Sequence, residues 1–218
     1  MNGAHRSLAC AGLLLLAGCA ANAPKPPPEP PPWAATGPCA SSLAELPATA
    51  LAPGTQALWR DDFRKTAVCL EREATAEQAL LLQLDEVSVQ QELDLFLHIG
   101  RDYLLGASVS VLDASRQPLL RYGFDDFTAR GDYYSLRLFP QAGSVAAYLL
   151  IEVDPDAHGS GIDRISGQRV QTMWVAGGYM GSIANGIETQ QQIAIRDTGL
   201  LSLHRVVEAP ARGSGRSP

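Results

Sequence analysis

The chain is expected to fold as an all-β protein, an antiparallel, jelly-roll-like β-sandwich. Three observations carry that expectation. Residues 93–99 and 133–139 alternate apolar and polar side chains, residues 145–153 form a short apolar run bounded by turn formers, and candidate strands recur about every 10–15 residues without an intervening helical period. Period-two alternation suits a sheet with one covered face, short apolar runs suit strands covered on both faces, and this spacing suits two packed sheets.

The elements follow in chain order. A short helix is expected over residues 58–66. Residues 78–87 alternate around Asp85, residues 93–99 around Asp94, and residues 104–112 put Val109 and Val111 on one face and Ser108 and Ser110 on the other. Asp113 to Pro118 reads as a turn, because an Asp side chain bonds nearby backbone and Pro fixes its own φ. Residues 119–124 lead away from it. Leu136 and Leu138 mark the alternation of the next strand, Pro140 to Ser144 turn the chain, and residues 199–207 close the domain through Leu201, Leu203 and Val206. No segment repeats at a period of about 20–50 residues, which excludes a solenoid.

A different signal governs the N-terminus. His5 and Arg6 precede an apolar stretch over residues 8–17, too short to cross a hydrocarbon core of about 30 Å as a helix. Leu16-Ala17-Gly18-Cys19 resembles the lipobox of bacterial lipoproteins, which implies cleavage before Cys19 and lipidation of Cys19 itself. Ala20 stands where an inner-membrane retention signal would place Asp, so the resemblance implies a periplasmic protein anchored to the inner leaflet of the outer membrane. Residues 23–32 then hold Pro and charged residues with no core-forming side chain. Such a tract adopts extended polyproline II and acts as a semi-rigid spacer. The expected organisation is a signal peptide over 1–18, a lipidated cysteine and Pro-rich linker over 19–55, a β-sandwich over 56–207 and a disordered tail over 208–218.

Removing residues 1–18 takes away Arg6 alone, leaving 16 Lys plus Arg against 23 Asp plus Glu, a net charge of -7. No basic patch or run remains, which argues against nucleic acid and against anionic headgroups as partners. Of four cysteines, Cys10 lies in the signal and Cys19 is the lipidation site. In an oxidising periplasm the remaining pair, Cys39 and Cys69, is expected to form a disulfide, with two buried thiols as the alternative.

The order of strand and turn motifs resembles a family. Val111-Leu112-Asp113, Pro118, Tyr122 and Phe127, then Arg137-Leu138-Phe139-Pro140, Tyr148-Leu149-Leu150-Ile151 and the closing stretch from Ile195 to Leu203 look like the maltose operon periplasmic protein (MalM) family. The resemblance implies a periplasmic protein associated with maltose and maltodextrin uptake, without an established catalytic activity or cofactor. The lipobox, the polyproline tether and residues 159–192 depart from the family pattern.

The search for chemistry returns little. No nucleophile elbow, zinc helix or phosphate loop is present, and after the signal only His98, His158 and His204 remain. His98 and His204 fall on strands, facing solvent or a hydrogen-bond partner. Asp125 and Asp126 are adjacent, and adjacent strand residues point to opposite faces. Asp154, Asp156, Gly159 and Asp163 resemble the first half of a calcium loop, but Ile165 occupies the position of its bidentate Glu, so a flexible acidic hairpin is the other reading. Trp174 and Tyr179 flank Gly177-Gly178, with Asn185 and residues 188–192 supplying polar groups. They could stack on a sugar ring or simply pack. No metal site and no cofactor are expected, and no enzymatic activity. Expected partners are the membrane, through the lipid anchor, and either maltodextrin or another envelope protein in a surface or secretion assembly.

Overall fold

The computed structural model describes residues 33–35, 37–52, 56–73, 75–85, 88, 91–139, 145–176 and 179–206, with backbone alone for 165–172, 174–176 and 179–189. The signal segment, Cys19, the proline tract, the turn at 140–144 and the tail over 208–218 lie outside the described residues.

Fourteen described strands and one turn of helix build an all-β sandwich: β1 (Ala48–Ala50), β2 (Ala57–Asp62), α1 (Phe63–Thr66), β3 (Val68–Arg72), β4 (Thr75–Gln83), β5 (Leu93–His98), β6 (Tyr103–Leu105), β7 (Ala107–Asp113), β8 (Pro118–Tyr122), β9 (Thr128–Arg130), β10 (Tyr133–Leu138), β11 (Ala146–Val153), β12 (Gly161–Ala176), β13 (Tyr179–Arg196) and β14 (Leu200–Arg205). One sheet runs β1-β4-β11-β7-β8 with β3 also beside β4, and the other runs β2-β14-β5-β10-β9. A third, β12-β13-β6, is a long hairpin with a short strand at its root.

The alternation on β5 is realised directly. Leu93, Leu95 and Leu97 are buried, whereas Asp94, Phe96 and His98 face outward and are half-buried. They meet Leu201 and Leu203 of β14, Leu136 and Leu138 of β10, and the inward residues Leu80, Leu82, Leu149 and Ile151 of the first sheet in one core. Each such side chain taken out of water contributes about 1.5–3 kcal/mol.

The apolar runs at Leu80-Leu81-Leu82 and Leu149-Leu150-Ile151 have a second cause. The outward residues Ala79, Leu81, Leu112 and Leu150 form another cluster with Leu46 and Leu70, so the middle strands of the first sheet are covered on both faces. The cover is the segment from residue 39 to 51. Leu46 and Leu51 are buried, Ala40 bridges Leu70, and a disulfide joins Cys39 to Cys69 with the Cα atoms 4.4 Å apart. Arg116, at φ +63° in the turn after β7, donates from Nη1 to the Leu46 carbonyl at 2.8 Å and also to the Leu43 carbonyl. The folded body therefore begins well before residue 56, because this stretch carries leucines that the first sheet needs as a lid.

Two further expectations are corrected. The strand expected over 104–112 breaks at Gly106, where β6 leaves for the hairpin and β7 enters the first sheet. A Cβ on Gly106 would lie 2.4 Å from Ile195 Cγ2, so a side chain does not fit at this crossing. Ser108 and Ser110 are buried with their valine neighbours, since β7 is central and covered on both faces. The helix expected over 58–66 is mostly strand β2. Only Phe63–Thr66 is helical, capped by Asp62, whose Oδ1 accepts from the Arg64 amide at 3.0 Å. The Asp113 turn forms as expected, with Oδ1 accepting from the amides of Ser115 at 2.8 Å and Gln117 at 2.9 Å.

Candidate functional site

The hairpin of β12 and β13 is the feature that the sandwich does not use. Its register runs unbroken through 16 pairs, from Gly161↔Ala194 to Ala176↔Tyr179. At the root it is tied to the body. β6 pairs in parallel with Ala194, Ile195 and Arg196, Ile193 lies in the main core, and Ile162 packs against it. Arg164 Nη2 donates to Asp132 Oδ1 at 2.5 Å, and Gln191 donates to the Arg101 carbonyl. Beyond Arg164 and Gln191 the two strands continue for 12 further pairs, about 40 Å at 3.4 Å per residue. Among the described residues no third strand pairs with either edge of that stretch.

Other sheet edges are blunted. β1 and β9 are three residues long, β8 begins with Pro118 and shifts register against β7, and β2 carries Arg60, Asp61 and Asp62 with a register shift against β14. Short strands, Pro, irregular register and charge all discourage edge-to-edge pairing. The distal arm, residues 170–187, has none of these devices among its described residues. Residues 161–196 contain no Pro and no Lys, and residues 170–187 contain no charged side chain. Met173, three register pairs from the end of the ladder, is 66% exposed.

Trp174 and Tyr179 both lie in this distal stretch. Trp174 pairs with Gly181 and Tyr179 with Ala176, which puts the two positions on the same face of the ribbon, two register steps apart. Their side chains, and Gly177-Gly178 at the tip, lie outside the described residues.

A cleft of about 320 Å³ opens where the arm leaves the body, lined by Ile99, Ala129, Tyr134, Ile162, Asp163 and Arg164 among others. An aromatic ring beside a carboxylate and a guanidinium is a mixed apolar and polar lining, the kind that orients a small ligand. Tyr134 is held from behind by Phe124, with the ring centroids 5.5 Å apart.

Sequence reasoning placed His98 and His204 on strands but not together. The register Leu200↔His98 and His204↔Asp94 brings both to Ser202, at 2.8 Å from His98 Nε2 and 3.1 Å from His204 Nε2 to the hydroxyl oxygen. A serine hydroxyl has one donor and two acceptor sites, so it can serve both rings, with the direction of each bond set by the histidine tautomers. Ser202 is fully buried, so the hydroxyl offers no approach to a substrate. Phe96 packs edge-on against His204 and Tyr133. Burial first, and then the Arg60 charge, hold both imidazoles below their ordinary pKa. Groups that bind protons less readily when folded lose stability as pH falls from about 6.5 through their lowered folded values. Thermal unfolding between pH 7 and pH 5 should show that loss, and the double variant His98→Gln/His204→Gln should flatten it. An unchanged slope would count against the pair as its source.

Asp154 is consumed by the fold. Its Oδ2 accepts from the Phe124 amide at 2.7 Å and its Oδ1 from the Asp156 amide at 3.0 Å. Among the described residues no three His, Cys, Asp or Glu side chains converge as metal ligands. The acidic stretch is a turn leading into the arm. No protein-family model matches the chain, and no curated protein or solved structure matches it.

Proposed function

We propose that this chain is a noncatalytic, lipid-anchored interaction module of the bacterial envelope, which joins an assembly through the β12–β13 arm. The observation that carries the reading is the contrast between the blunted edges of the body and the long, unblunted edges of the arm. An isolated two-stranded ribbon is marginal in water, so an arm of this length needs a partner to hold its shape. The lipobox-like Leu16-Ala17-Gly18-Cys19 and the proline tract supply the address, the periplasmic side of the outer membrane, and the reach. Replacing residues 170–185 by Asn-Gly keeps the pair Arg169↔Gly186 as the last before a two-residue turn. In detergent-solubilised membranes the full chain should sediment in a complex well above protomer size, and the shortened chain at protomer size. A full chain that sediments as a protomer defeats the reading.

The cleft at the arm root favours a second reading, an accessory carbohydrate-binding role of the kind implied by the resemblance to the maltose operon family. Tyr134, Asp163 and Arg164 would supply the ring and the polar partners. Calorimetric titration with maltotriose into the millimolar range, where binding free energies are about -4 kcal/mol, should give a saturable signal that Arg164→Ala removes. No heat in that range counts against this role.

A further inference from the structure

We infer that the partner of the arm is another copy of this chain: β13 of one copy pairs with β12 of the next, and the series closes into a β-barrel. The inference rests on the interaction-module reading and names its partner. Backbone pairing decides among the possible occupants. Along the distal stretch each strand presents one row of amide and carbonyl groups to its partner in the hairpin and another row outward. The outward rows lie on the two opposite edges of the ribbon, each spanning 12 register positions beyond the root.

A lipid bilayer satisfies none of these groups, and an open hairpin does not enter hydrocarbon with its edges unpaired. A strand of a different protein pairs with one edge and leaves the other exposed. A second copy differs in kind. Because β12 and β13 run antiparallel, β12 of the next copy laid beside β13 continues the same up-and-down order with strands of matched length. Repeating the operation presents the same edge to the same edge at every step, and closure removes edges altogether. The sequence permits close lateral approach, because the charge-free run over 170–187 puts no like charges opposite each other along the joint. The uninterrupted register matters as well, since a bulge in either strand would set neighbouring copies out of step.

The arm is also fixed at its root in a way that suits assembly. Ile162 and Ile193 seat it on the core, and β6 pairs with β13 only at Ala194, Ile195 and Arg196. The pairing edge of β13 from Ile193 outward is thus left open by the body among the described residues.

The test uses the full chain, purified alone in detergent. Light scattering corrected for bound detergent should give a discrete multiple of the protomer mass, and the chain with residues 170–185 replaced by Asn-Gly should give the protomer mass. The thermal transition of the body should be the same in both. Mixing two chains of different tag length, one carrying Gln171→Cys in β12 and the other Ala184→Cys in β13, positions on the same face of the ribbon, should yield a disulfide-linked heterodimer under mild oxidation. Two Gln171→Cys chains should not link. Protomer mass for the purified full chain, with a large complex still present in solubilised membranes, overturns the inference and leaves the interaction-module reading standing with a different partner. Efficient linkage between two Gln171→Cys chains overturns the head-to-tail order.

Discussion

Cys19→Ser will release the protein from the membrane into the soluble periplasmic fraction or halt its maturation as a precursor. Each buried methylene of an acyl chain contributes about 0.8 kcal/mol, so an acylated Cys19 would supply affinity that a fractionation experiment registers as lost in the variant. Among the described residues no helix is long and apolar enough to cross a membrane, so nothing helical there substitutes for the anchor. Membrane partition and acyl labelling that both survive the substitution would refute the lipobox reading of Leu16-Ala17-Gly18-Cys19.

The double variant Cys39→Ala/Cys69→Ala will lose roughly 3–4 kcal/mol of stability, the chain-entropy value for a closed loop of this size. The disulfide spans 30 residues and fastens the lid over the second apolar cluster, where Leu46 is 1% exposed. Without it the lid is held by the Arg116 bonds, by the pairing of Ala48, Thr49 and Ala50 with β4, and by the leucine contacts. Urea unfolding of the oxidised and double-variant proteins measures the difference. Cleavage of the lid by protease should accelerate in the variant while β5, β10 and β14 stay intact. Equal midpoints would mean that the lid closes as well without the link.

Much of the sandwich was legible because its signals are local. β5, β10, β11 and β14 fall within a residue or two of the segments that alternation and apolar runs mark, and the Asp113 turn bonds as its composition implies. The disulfide followed from cysteine count and compartment. What was not legible depends on partners distant in sequence. The break at Gly106 is hidden inside a continuous apolar run, since its cause is the approach of Ile195 from β13. The lid looks like linker in sequence because Leu43 and Leu46 stand among Pro, Ser and Ala, and their apolar surroundings come from β4 and β11. His98 and His204 meet at Ser202 only through the β5–β14 register, although the spacing of Ser202 and His204 already puts them on one strand face.

The arm escaped for another reason. Strands average about 5–6 residues, and 16 and 18 consecutive ladder residues with glycines at positions 167, 181 and 186 look like several short pieces separated by turns. Trp174 and Tyr179 stand out in the sequence for their chemistry, and the register shows their common position on the ribbon.

The most direct measurement is amide hydrogen exchange on the arm of the protein extracted with its assembly intact from membranes. Peptides covering residues 165–176 and 179–189 report whether the outward amides of β12 and β13 are paired, with peptides from β4 and β11 as the internal reference for a fully hydrogen-bonded sheet. An arm engaged along both edges should exchange as slowly as that reference. Fast exchange over the distal stretch, with β4 and β11 protected, would contradict the claim that this protein works through its arm.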